Sequence, residues 1–116
     1  MSDLPERGAP SLGGLGIRRT VDAEGVVLAL DGELDLASAP ELERQLREIS
    51  TTNRGRLLID LGGLTFMDST GLGVILGAQR STEAAGNRFS LRSGQKQVQR
   101  LFAITGMADR FTFEEE

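Results

Sequence analysis

Ser69 stands after Phe66-Met67-Asp68 and before Thr70-Gly71, where the apolar run Leu72-Gly73-Val74-Ile75-Leu76 begins. This order puts a hydroxyl and a carboxylate at the start of a helix, where unpaired backbone N–H groups and a partial positive charge gather. A serine there can cap the helix, act as a nucleophile, or carry a phosphate that the helix end tolerates. A nucleophile needs a base, and the chain has no His and no Cys. A Ser-His-Asp triad is therefore excluded, as are thiolate chemistry, disulfides and the usual zinc sites. The flanking residues are also not Gly-x-Ser-x-Gly. The Asp and Glu residues are scattered over helix faces and turns and read mainly as solvated charge. Cap and phosphoacceptor both stay open for Ser69.

Composition narrows the partners. The 116 residues fit one domain, large enough for a core but too short for separate catalytic and regulatory halves. With 39% hydrophobic and 26% charged residues and a net charge of -4, the chain has no electrostatic reason to bind nucleic acid or an anionic membrane. No apolar run approaches the ~20 residues that span a bilayer, and Met1 to Pro10 lack a signal-peptide core. The expectation is a cytoplasmic protein with no cofactor.

The elements that must position Ser69 follow from local patterns. Residues 1–15 are rich in Gly, Pro and Ser without apolar period and read as a flexible N-terminal arm, 16–113 as the folded domain, and 114–116 as an acidic tail. Ile17 to Val21 and Val26 to Leu30 predict a hairpin about Asp22-Ala23-Glu24-Gly25; the second strand, apolar on both sides, belongs inside a sheet. Ser38-Ala39-Pro40-Glu41 matches a capping box and opens a helix to about Ser50, with Leu42, Leu46 and Ile49 inward and Glu43–Arg47 as a surface pair. Leu57 to Ile59 form the next strand, which gives a right-handed βαβ crossover if it lies parallel to the preceding one. After the Asp68-Ser69 loop a second helix runs to about Ala85 and stops at Gly86. Phe89 to Leu91 form a strand, Val98, Leu101 and Phe102 mark a third helix ending at Gly106, and Phe111 to Phe113 suit a short edge strand. The predicted fold is α/β, a mixed sheet of four to five strands with helices packed against it. Gly71, Gly73 and Gly77 each weaken the second helix by ~0.5 to 1 kcal/mol relative to Ala, so close approach of another backbone or of a partner is expected to use the missing side chains.

From roughly Gly16 to Phe113 the chain resembles the STAS domain, and within it the stand-alone bacterial anti-sigma factor antagonists. The resemblance rests on Gly32-Glu33-Leu34-Asp35, on Leu58-Ile59-Asp60-Leu61, and above all on the block Thr65-Phe66-Met67-Asp68-Ser69-Thr70-Gly71-Leu72-Gly73-Val74-Ile75-Leu76. It implies that Ser69 is phosphorylated by a partner that is both anti-sigma factor and serine-protein kinase. It also implies that the unphosphorylated form binds the anti-sigma factor and frees the sigma factor, and that a PP2C-type phosphatase resets the cycle. On this reading the chain is the substrate of those enzymes and not itself an enzyme. Glu33, Asp35, Asp68, Ser69, Thr70, Gly71 and Gly73 are the partner-binding residues it implies.

Each of these residues also has a plainer reading. Ser69 can be an N-cap, Asp68 can orient the loop, Thr70 can be a helix-start residue, Glu33 and Asp35 can be turn and pre-cap residues, and Phe66 and Met67 can be core or loop anchors. Two other functions compete: a STAS subunit of another assembly, such as a lipid-transport complex or a stressosome-like scaffold, and a small nucleotide-binding domain. The intact Asp68-Ser69-Thr70-Gly71 block argues against the transport subunit. The lack of Gly-x-x-x-x-Gly-Lys-[Ser/Thr] argues against the nucleotide reading.

Overall fold

The structure, a computed structural model, describes residues 14–52 and 55–114. In chain order it contains β1 (Leu15–Asp22), β2 (Gly25–Leu34), α1 (Ala39–Thr52), β3 (Arg56–Met67), α2 (Ser69–Ala84), β4 (Arg88–Arg92), α3 (Lys96–Ile104), a 3₁₀ turn (Ala108–Arg110) and β5 (Phe113–Glu114). The expected arm (residues 1–15) and tail (114–116) lie largely outside the described residues; of them, Leu15 belongs to β1 and Glu114 to β5.

The five strands form one sheet in the order β1-β2-β3-β4-β5. β1 and β2 make the antiparallel hairpin, with Asp22 opposite Gly25; the other pairs, β2–β3, β3–β4 and β4–β5, are parallel. A mixed sheet results because each parallel step needs a crossover long enough for a helix, while the hairpin needs only a turn. Asp22 closes that turn by accepting from the Glu24 N–H at 2.9 Å and the Gly25 N–H at 3.1 Å.

Register sorts the side chains into two faces. Val26, Leu57 and Phe89 lie in one row and Leu28, Ile59 and Leu91 in the next, all buried. The helices cover this face. Arg19, the register partner of Leu28, donates to Gln45 and Glu48 of α1. Phe113, the partner of Leu91, meets the ring of Phe102 of α3 edge-on at 5.5 Å. Phe102 also meets Phe111 at 5.4 Å, so three rings fasten the short β5 to the core. The other face carries charge: Arg56 pairs with Asp22 and Glu24 at 3.0 Å each, Arg92 with Asp60 at 3.2 Å, and Ser90 donates to Glu114 at 2.6 Å.

Three local expectations need correction. β3 does not end near Ile59 but runs on to Met67, through Gly62-Gly63. Its pairing with β2 shifts register between Ala29 and Asp31 and again between Gly32 and Glu33, so β3 holds extra residues as bulges. At Gly63 a Cβ would lie 2.8 Å from the Leu30 carbonyl oxygen, and the glycine that reads as a loop signal instead lets two strands close. The capping box at Ser38 does not form. The Ser38 hydroxyl turns back to donate to the Glu33 carbonyl at 2.8 Å and to accept from the Asp35 N–H at 3.0 Å, while the Glu41 carboxylate accepts from Arg44 and Gln45. Within α1 the surface ion pairs join Arg44 to Glu41 and Glu48, and not Glu43 to Arg47.

The C-terminal ends of α2 and α3 follow the expected pattern. Gly86 and Gly106 adopt φ of +84° and +74° just past the helix caps, a conformation that costs glycine little.

Candidate functional site

The site forms where β2 and β3 end side by side. Leu34 pairs with Met67, and the Asp68 N–H donates to the Leu34 carbonyl at 3.2 Å. This bond fixes the entry of α2 beside the turn that leads from β2 to α1. Asp68, extended at φ −108° and ψ −175°, is the N-cap of α2; its Oδ1 accepts from the Gly71 N–H at 3.0 Å. The capping role is thus filled by the aspartate, and the alternative that Ser69 caps the helix is set aside. Ser69 is the first helical residue, exposed, with no hydrogen bond from its hydroxyl to any described residue. Thr70 follows, half-buried.

Gly71 has an internal reason. It is buried, and a Cβ there would lie 2.7 Å from Leu34 Cγ and 2.9 Å from the Leu34 carbonyl oxygen. The first turn of α2 can lie on the end of β2 only without that side chain. Gly73, by contrast, is exposed and a Cβ on it would meet nothing within 4 Å. The sequence grouped the two glycines together; the structure separates them.

Glu33 and Asp35 come to the same end of the sheet. Glu33 is half-buried, pairs in register with Phe66, and its N–H donates to the Gly14 carbonyl at 3.1 Å. Asp35 is occupied locally: its Oδ1 accepts from the N–H groups of Ala37 and Ser38 at 3.1 Å each, which shapes the turn into α1. Its plainer reading as a turn residue therefore holds, whatever else it contacts.

Two residues escaped the sequence reading. Phe66, grouped with Met67 as core or loop anchor, is 46% exposed, while Met67 is buried. Leu36, in the turn after Asp35, is 73% exposed. Alternation along β3 could have separated Phe66 from Met67, but the bulge before Phe66 obscures the phase.

Chemically, the arrangement offers an exposed hydroxyl at a helix N-terminus, with a carboxylate one residue before it. The helix end and its dipole favour an added anion on Ser69 within the chain, whereas Asp68 adds a like charge to any surface that closes over both. Among the described residues no group of three or more His, Cys, Asp or Glu side chains converges as a metal site. Among them, too, no helix is long and apolar enough to cross a membrane.

This order of strands and helices is that of an α/β fold found in solved structures. The unphosphorylated anti-sigma factor antagonist SpoIIAA superposes with a TM-score of 0.75 at 23% identity, over 87% of this chain and 88% of that one. An anti-sigma factor antagonist from Mycobacterium paratuberculosis gives 0.76 at 21%, over 90% and 89%. A family model described as "Mlab, STAS domain" matches residues 17–113, and the chain belongs to the STAS domain family. In sequence it is 36% identical over 89 residues to the anti-sigma-B factor antagonist of Listeria monocytogenes, covering 76% of this chain and 77% of that protein. It is 30% identical over 95 residues to the anti-sigma-B factor antagonist of Staphylococcus aureus, covering 82% and 88%.

Proposed function

We propose that this chain is an anti-sigma factor antagonist: it binds an anti-sigma factor that is also a serine kinase, releases the sigma factor, and is switched off by phosphorylation of Ser69. A PP2C-type phosphatase returns it to the binding form. The chain is the substrate in this cycle and performs no catalysis itself. The observation that carries the reading is the separation of roles at the start of α2, where Asp68 caps the helix and leaves the Ser69 hydroxyl exposed and unengaged by any described residue. The names of the relatives support the partner class.

Phosphate at Ser69 would bring about -1.5 to -2 charges at pH 7 next to Asp68. An interface that buries this end would have to desolvate both. Glu33, Asp35, Asp68, Ser69, Thr70 and Gly73 make up the partner-facing set on this reading, while Gly71 supports it from inside.

Incubation of the purified chain with serine kinases of the anti-sigma class and ATP, followed by mass spectrometry of the intact chain and of the Ser69 peptide, tests the reading. One phosphate on Ser69 is the expected result. Phosphate only elsewhere, or none with any kinase, would favour the scaffold alternative.

A further inference from the structure

β4 pairs with β3 only from Arg56 to Asp60, so from Leu61 to Met67 no strand among the described residues lies on that side of β3. The start of α3 stands in for it. Gln95 Nε2 donates to the Gly62 carbonyl at 3.4 Å, and Gln97 Nε2 donates to the Thr65 carbonyl at 3.0 Å and to Gln95 Oε1 at 3.1 Å. Gln95 is the N-cap of α3, yet its side chain makes no cap hydrogen bond. Gly94 brings this turn close to β3, since a Cβ there would lie 3.0 Å from the Leu61 carbonyl oxygen.

The two accepting carbonyls belong to the bulges of β3. Ala29 pairs with Asp60 and Asp31 with Gly63, so Leu61 and Gly62 together oppose Leu30 alone. Gly32 pairs with Leu64 and Glu33 with Phe66, which leaves Thr65 without a register partner in β2. Thr65 is held from both sides, because its hydroxyl donates to the Gly32 carbonyl at 3.1 Å. The phase beyond it decides the site. Phe66 is exposed and Met67 buried, and a slip of one residue would exchange them. Both side chains are apolar, so burial alone discriminates poorly between the two phases. Only the observed one sets Met67 opposite Leu34 and brings the Asp68 N–H to the Leu34 carbonyl.

We propose that Gln97 is a positioning residue for Ser69: by holding the bulged Thr65, with Gln95 behind it, Gln97 fixes the phase in which β3 ends and so the place of the Asp68 cap and of the serine after it. The bearing on phosphorylation rests on the reading under Proposed function, whereas the pin itself can be tested without a partner.

Gln97→Met and Gln97→Glu, made in the full-length chain, remove the donor, and Gln97→Lys keeps one. The four residue types have similar helix propensity. The first turn of α3 holds no acidic residue, and there a negative charge is favourable and a positive one is not. Gln97→Glu is therefore expected to melt at or above the parent's temperature while its Asp68 amide exchanges with deuterium about three- to tenfold faster, and Gln97→Met to show the same faster exchange. Gln97→Lys is expected to melt no higher than the parent and to keep the parent's exchange rate. A role in starting α3 alone gives the reverse order. The Leu57 and Ile59 amides, in the part of β3 that lies between β2 and β4, should keep their rates in all variants. Against a serine kinase that modifies the parent at Ser69, Gln97→Met is expected to lose about three- to tenfold in kcat/KM and Gln97→Lys to restore it. Asp68 exchange within twofold of the parent in both the Met and Glu variants, or an equal rise at Leu57 and Ile59, overturns the proposal; so does faster exchange with kcat/KM unchanged. If no kinase modifies the parent chain, the proposed function falls, and exchange at Asp68 alone decides whether Gln97 sets the place of residue 69.

Discussion

Either Asp68 or Ser69 could cap the start of α2, and the structure gives that task to Asp68. The carboxylate holds the Gly71 N–H, so changing the hydroxyl leaves the helix start intact. Ser69→Ala is therefore expected to keep the parent's stability and to bind the anti-sigma factor whether or not kinase and ATP are present, as pull-down after kinase treatment would show. Ser69→Glu is expected to lose most of that affinity with an unchanged circular dichroism spectrum; full affinity in the acidic variant would sink the switch mechanism. Asp68→Ala removes the cap and is expected to cost about 1 kcal/mol in denaturant unfolding, while Asp68→Asn, an equally good cap, should cost far less. Gly71→Ala should be worse than either, by roughly 1 to 3 kcal/mol, because the added methyl presses on the Leu34 backbone and side chain. Equal stability of Gly71→Ala and Gly73→Ala would refute the distinction drawn between these two glycines.

Among the elements, helices were more legible than the junctions that place them. Gly86 and Gly106 end α2 and α3 as their positions announce, since a residue at positive φ after a helix is a local demand that the sequence answers locally. The length of β3 was hidden for the opposite reason. Gly62-Gly63 reads as a break, and only the partner strand, with Leu30 and Asp31 pressed against Gly63, turns it into a bulge. Ser38 misled in the same way. Its spacing to Glu41 is right for a capping box, but the Glu33 carbonyl and the Asp35 N–H compete for the hydroxyl and win because the turn brings them within 2.8 and 3.0 Å. In the site, the serine and the aspartate could be found from order alone, whereas the exposure of Leu36 and Phe66 could not. That exposure depends on where β2 ends and how β3 is phased, and both are set by tertiary pairing.

Over the whole molecule, charge is arranged so that acid weakens it. The Glu24 N–H leads the groups that hold Asp22 below the ordinary carboxylate range; Arg44 does the same for Glu41, and Arg19 for Glu48. A carboxylate whose folded pKa is depressed contributes stability above its unfolded pKa and loses it as pH falls through the folded one. With ordinary values of 3.8 for Asp and 4.5 for Glu, the Tm is expected to hold from neutral pH down to the unfolded carboxylate range and to fall below it. Added salt should shrink the effect of Glu41 and Glu48, since these pairs are exposed. A Tm that stayed level down to pH 3 would contradict this arrangement.

The hairpin turn at Ala23-Glu24 has a practical consequence. β1 starts opposite Gly32, and β2 runs from the turn towards Asp68, so the turn and Ser69 stand at opposite ends of the sheet. Ala23 is exposed and its neighbours Asp22 and Glu24 hold Arg56, which leaves Ala23 as the position to alter. Because the chain contains no cysteine, Ala23→Cys would create a single thiol for a fluorophore or a surface tether. A chain immobilised there would present Ser69 and the upper end of α2 to solution, oriented for measuring its partners one at a time.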